Sequence, residues 1–189
     1  MNKDDEIILE GNPFGRQNYR ICYMSQVPDE GAEKVVRFSS DDIVQGLHET
    51  YITVENSLLN ISWNACFSGH DSNRISLFVQ TPNPDYFCIL WGGEAWLVNS
   101  SIPGKVYKVP IYPVKGYLIC TDIPRLIIYD FSSIYVFDGE RTSDIRIDEA
   151  SGINRVECVD GQLFVSYEKH GREHETHIND SEFLRPLSV

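Results

Sequence analysis

The segment Phe87-Cys88-Ile89-Leu90-Trp91-Gly92-Gly93-Glu94-Ala95-Trp96-Leu97-Val98 constrains the fold more than any other part of the chain. Two apolar runs flank a Gly-Gly pair. A two-residue link that tolerates positive φ at both positions is what a tight β-hairpin turn requires. Hairpin pairing then sets Trp91 opposite Glu94 and Ile89 opposite Trp96. Side chains alternate along a strand, so one face carries Phe87, Ile89, Trp91, Trp96 and Val98. The other carries Cys88, Leu90, Ala95 and Leu97. Both faces are apolar, so the hairpin must be central, with a covering layer on each side.

Comparable short runs surround it from about Arg74 to Ile178. Ile75 to Val79 precedes it. Lys105 to Ile111, Tyr117 to Cys120, Leu126 to Tyr129, Ile134 to Phe137, Ile145 to Ile147, Asn154 to Val159, Leu163 to Lys169 and Arg172 to Ile178 follow. Turn residues separate them at intervals of roughly eight to twelve residues, the spacing of sandwiches and propeller blades. Val159-Asp160-Gly161-Gln162 and Lys169-His170-Gly171-Arg172 read as hairpin turns. The reading is an all-β fold, an antiparallel meander of consecutive hairpins, sandwich or blade-like, with at most one or two short helices. Ser39-Ser40-Asp41-Asp42 is a helix N-cap pattern ahead of Ile43, Val44 and Leu47, and Gly46 limits that helix to a turn or two. No repeat is regular enough for a closed propeller, and a pair of meanders fits the length. The 189 residues suit a single domain, with 1–40 as a less regular N-terminal region.

Charge narrows the partners. The net charge of −12 and the absence of a basic run argue against nucleic acid, whose phosphates call for clustered Lys and Arg. Between Asp138 and Glu182 stand twelve Asp or Glu against five Lys or Arg. Such a stretch is ordinarily a solvated strand face, and its sharper reading is a docking surface for a cationic partner. The five cysteines are an odd number with no CxxC pair, each among apolar or strand-like residues, which predicts buried free thiols. The acidic start, Met1 to Glu6, has no apolar signal region, and no stretch has the length of a membrane span. The expected location is therefore the cytoplasm, away from membranes.

Strand geometry argues against the catalytic and metal motifs that the residue types suggest. His170, His174 and His177 fall within eight residues, but His174 and His177 differ by three positions on one strand and so point to opposite faces. No metal and no cofactor is expected. Cys66-Phe67-Ser68-Gly69-His70 is the one Cys/His neighbourhood, and it supplies Cys66, Ser68 and His70 as candidates for a hydrolase site assembled from loops. A core thiol beside a polar turn is the plainer reading. Trp63, Trp91 and Trp96 are candidates for a carbohydrate or small-ligand platform, but core packing is the default for tryptophans in apolar strands.

Two segments, Gly92 to Val98 and Leu118 to Tyr129, resemble stretches of small uncharacterised bacterial β-rich proteins, and the likeness extends more faintly into the tail hairpins. The resemblance implies a bacterial, all-β chain. It carries no activity and no site residues.

The expectation is thus a non-enzymatic interaction protein, in its most concrete form one of the immunity type that masks the basic surface of a toxin. A hydrolase and a small-ligand or carbohydrate-binding module are the alternatives. The residues chosen for the docking surface are Glu168, Glu173 and Glu175 of the acidic tail. Glu168 and Glu173 face each other in the expected register, a like-charge pair that costs stability. The partner is a basic protein, and the sequence does not fix the oligomeric state.

Overall fold

A computed structural model describes residues 14–24, 35–39, 48–69, 77–179 and 184–186. The predicted helix after Ser39 and the Gly11–Pro13, Val27–Gly31 and His70–Asn73 loops lie outside the described residues. Every regular element among the described residues is a β-strand, and the strands form four small sheets.

The first sheet has the order β1-β3-β4-β2, from Tyr19–Tyr23 (β1), Val35–Ser39 (β2), His48–Asn56 (β3) and Ile61–Gly69 (β4). Its β2–β4 pair is parallel, whereas every other pair in the four sheets is antiparallel. The second sheet runs in chain order through Leu77–Gln80 (β5), Tyr86–Trp91 (β6), Glu94–Asn99 (β7) and Val106–Lys108 (β8). The third comprises Gly116–Cys120 (β9), Arg125–Tyr129 (β10), Ser133–Phe137 (β11) and Arg141–Arg146 (β12), with Arg185–Pro186 (β16) on the edge of β12. The fourth is Gly152–Val159 (β13), Gln162–Lys169 (β14) and Arg172–Ile178 (β15).

The β6–β7 hairpin has the expected register, Trp91 opposite Glu94 and Ile89 opposite Trp96. Gly92 and Gly93 take the positive φ values of 59° and 83° that the turn requires. Its two apolar faces enter two different cores. Phe87, Ile89, Trp96 and Val98 pack with Ile21, Ile52, Val54, Ala65 and Phe67 of the first sheet. Cys88, Leu90, Ala95 and Leu97 pack with Leu126, Ile128, Tyr135 and Phe137 of the third. The third sheet repeats the arrangement: its opposite face, with Ile127, Ile134, Val136 and Ile145, joins Ile153, Val156, Leu163 and Val165 of the fourth. The four sheets therefore share three core layers in chain order. Length alone suggested a pair of meanders; the structure has four sheets, of which the second, third and fourth are built on meanders and the first is mixed, with the order β1-β3-β4-β2.

The turns follow the residues that favour them. Asp160 and Gly161 (φ 49° and 76°) close β13–β14, and His170 and Gly171 (φ 51° and 72°) close β14–β15. Asp138 closes β11–β12 by accepting the N–H groups of Glu140 and Arg141 on Oδ1 and the Arg141 guanidinium on Oδ2. Burial pushes the Asp138 carboxyl up, but these backbone and guanidinium donors outweigh it and hold its pKa below the ordinary value. The thiols of Cys22, Cys66, Cys88 and Cys120 are free and buried, and Cys158 is free and half-buried.

Two outcomes are expected. Gly161→Ala and Gly171→Ala both place a side chain in the left-handed region, which costs about 1–2 kcal/mol. The added Cβ at Gly171 meets open space, whereas at Gly161 it lands on Ile123 Cδ1. Cδ1 is the end of a side chain that is 39% exposed and can rotate aside, so Gly161→Ala should exceed Gly171→Ala by no more than about 1 kcal/mol in urea titration; a larger difference would show that Ile123 is held in place. Asp138 stabilises the fold fully above the unfolded pKa of an aspartate, and that contribution is lost as pH falls through its depressed folded pKa. Acid unfolding followed by circular dichroism should therefore show a shallower loss of stability below about pH 4 in Asp138→Asn than in the wild type.

Candidate functional site

The fourth sheet ends the stack, so its two faces have different fates. Leu163, Val165 and Ile178 turn inward to the third sheet and are buried. The register assigns Arg155 and Glu157 of β13, Phe164, Ser166 and Glu168 of β14, and Glu173, Glu175 and His177 of β15 to the outward face. A β-bulge between Ile153 and Arg155 makes this possible. The extra residue shifts the alternation, so that Ile153 and Val156 both face the core while Arg155 and Glu157 face out.

The three glutamates chosen from the sequence are thus brought together on one face. Glu168 is directly opposite Glu173, and Glu175 is opposite Ser166. All three are exposed. Ser166 Oγ donates to Glu173 Oε1 at 2.7 Å, which leans Glu173 toward the middle strand. Arg155 pairs with Glu157 at 2.5 Å and offsets that charge. Among the described residues, Glu168 and Glu175 have no ion-pair partner. The face therefore holds four carboxylates and one cation. A shallow groove of about 90 Å³ crosses it between Arg155, Glu157, Phe164, Glu175 and His177, where the His177 ring rests 4.3 Å from that of Phe164. Sequence reasoning missed this Phe164–His177 pair and Glu157, because their placement depends on the bulge and on the cross-strand register.

The remaining sequence candidates are dispersed. His174 stacks on Tyr167 at 5.7 Å on the inward side, His177 lies on the outward face, and His170 sits at the β14–β15 turn beside Glu149 at 3.7 Å. The odd offset separates His174 from His177, as the strand period requires. Cys66 is 1% exposed on β4, with Arg37 Nη1 at 3.8 Å from its sulfur. Ser68 is on the same strand, and His70 lies outside the described residues. Trp63 and Trp96 are buried and Trp91 is half-buried; the Trp63 indole donates to Ser100 O at 2.8 Å. These tryptophans pack the core between the first and second sheets.

The opposed Glu168–Glu173 pair carries a stability cost. Glu168→Lys converts it to an opposite-charge pair and should stabilise the protein by about 0.5–1 kcal/mol in low-salt urea titration. The gain should shrink at high salt. A loss of stability would contradict the register and the exposure of the pair. The chain matches no protein-family model and no curated protein, so the reading of this face rests on its own residues.

Proposed function

We propose that the protein is a non-enzymatic interaction protein of the immunity type, which neutralises a basic toxin by covering its cationic surface with the outward face of β13–β15. The observation that carries this reading is the exposed, directly opposed Glu168–Glu173 pair with Glu175 beside it on one face of the fourth sheet. Like charges opposite one another destabilise a strand pair, and a cationic partner reverses the sign of that interaction. A charged face of this kind accelerates encounter with a basic protein and disfavours acidic competitors. Phe164 in the shallow groove supplies an aromatic contact of the type that anchors the centre of an interface.

The test is affinity purification of the tagged protein from its native host at low and high salt, beside the Glu168→Lys/Glu173→Lys/Glu175→Lys variant. The expected result is one basic protein captured at low salt, released at high salt, and not captured by the variant, whose circular dichroism is unchanged. Its association rate with the purified wild type should fall by roughly tenfold or more between low and physiological salt. Capture of nothing at either salt, or equal capture by the variant, overturns the reading.

A further inference from the structure

The outward face of β13–β15 is not uniformly acidic, because its cross-strand rows differ in chemistry. Gly152, Glu168 and Glu173 share one row, and Arg155, Ser166 and Glu175 share the next. Glu157, Phe164 and His177 share a third. Phe164 therefore puts a half-buried aromatic ring on the middle strand, with a carboxylate directly across on one side and an imidazole directly across on the other.

The Phe164 and His177 rings are 4.3 Å apart and tilted by 51°, so they meet at an angle and do not cover one another face to face. Direct cross-strand neighbours stand about 4.5–5.5 Å apart at Cβ, and diagonal neighbours about 7–8 Å. Glu157 is a direct neighbour of Phe164 and Glu175 is a diagonal one, so both carboxylates are within a side chain's reach of the ring. The groove that these residues line measures about 90 Å³. Pockets that enclose a free small molecule run to roughly 300–1,000 Å³. This one has the size for the end of a single side chain presented by a larger surface.

The identity of that side chain follows from what borders the groove. Carboxylates call for a cation, and an aromatic face favours one that is flat and weakly hydrated. A guanidinium meets both demands, stacking on the ring while its N–H groups donate to a carboxylate in pairs. A lysine ammonium is a compact, strongly hydrated charge and gains chiefly from the carboxylates. The sheet already uses this chemistry once: Arg155 Nη2 donates to Glu157 Oε1 at 2.5 Å. That contact engages Glu157 from β13. Glu175, exposed and without an ion-pair partner among the described residues, is the carboxylate that faces an incoming group.

We propose that the Phe164 groove takes an arginine side chain of the basic partner, its guanidinium stacked on Phe164 and donating to Glu175. The inference rests on the reading of this face as a docking surface for a basic protein, and adds that the surface selects arginine over lysine.

The probes are octa-arginine and octa-lysine amides, equal in length and charge, titrated at low salt into the full chain with its amide resonances followed. Octa-arginine should bind about two- to fivefold more tightly, the worth of one exposed cation–π contact. Its largest shifts should fall at Phe164, Glu175 and His177. Phe164→Leu should erase the preference and leave the octa-lysine affinity unchanged, whereas Phe164→Tyr keeps an aromatic face and should retain it. Equal affinities in the wild type, a preference that survives Phe164→Leu, or one that is lost in Phe164→Tyr overturns the arginine assignment and leaves the acidic docking surface standing. Binding of neither peptide, or binding that Glu168→Lys/Glu173→Lys/Glu175→Lys does not weaken, overturns the docking surface itself.

Discussion

The fold depends on one requirement, that the β6–β7 hairpin be dry on both faces. Phe87, Cys88, Ile89, Leu97 and Val98 are completely inaccessible, on a two-strand ribbon that has no inside of its own. At about 25 cal/mol for each Å² of apolar surface removed from water, leaving either face open would forfeit several kcal/mol. One covering sheet supplies a single core. Two supply the pair of cores that β6 and β7 enter, and the covering sheets differ in what remains on their own far sides. The third sheet has Ile127, Ile134 and Val136 there and so needs a fourth layer. The fourth has glutamates there, and the sequence of layers stops.

Polar groups set the register between layers that apolar contact alone leaves loose. Asn56 is buried, and its amide donates to the hydroxyls of Ser100 and Ser101 while its carbonyl oxygen accepts from Leu58 and Leu59 N–H. That one side chain closes the β3–β4 turn and ties the first sheet to the second. Asn83 donates to Gly139 O and ties the second to the third. Ile153 N–H donates to Phe131 O, and the Lys115 ammonium donates to Ile153 O, which joins the third to the fourth. Each link joins a turn of one sheet to a turn or strand start of the next, where backbone groups would otherwise lack partners.

Local pattern revealed the parts of this design whose signals are local. The Gly92-Gly93, Asp160-Gly161 and His170-Gly171 turns each announce a positive-φ pair, and each register follows from its turn. The strand β12 was less legible. Arg141-Thr142-Ser143-Asp144 carries no apolar residue, and it is a strand because it pairs with β11 on one side and Arg185–Pro186 on the other. The stack of four layers was not legible from length, because which sheet meets which is decided by contacts distant in sequence. The acidic face was half legible. Glu168, Glu173 and Glu175 follow from the hairpin register, whereas Arg155 and Glu157 join them through a bulge that no residue type marks.

Glu94 shows the same limit at a single side chain. Alternation places it on the face of Trp91, Trp96 and Val98, where a carboxylate is out of character, and this much is visible from the hairpin alone. Its partner Lys108 arrives only because β8 pairs with β7, with Lys108 opposite Trp96 and therefore beside Glu94 on that face. The pair offsets part of the burial cost, and one oxygen remains to be satisfied. An apolar residue at this position would serve the core better by the same reasoning that places the rest of the hairpin. Directly opposite stands Trp91, whose indole N–H is likewise buried and without a hydrogen-bond partner. Here and at the opposed glutamates of the fourth sheet, the sequence departs from what stability alone would choose, and in both places the departure is a carboxylate.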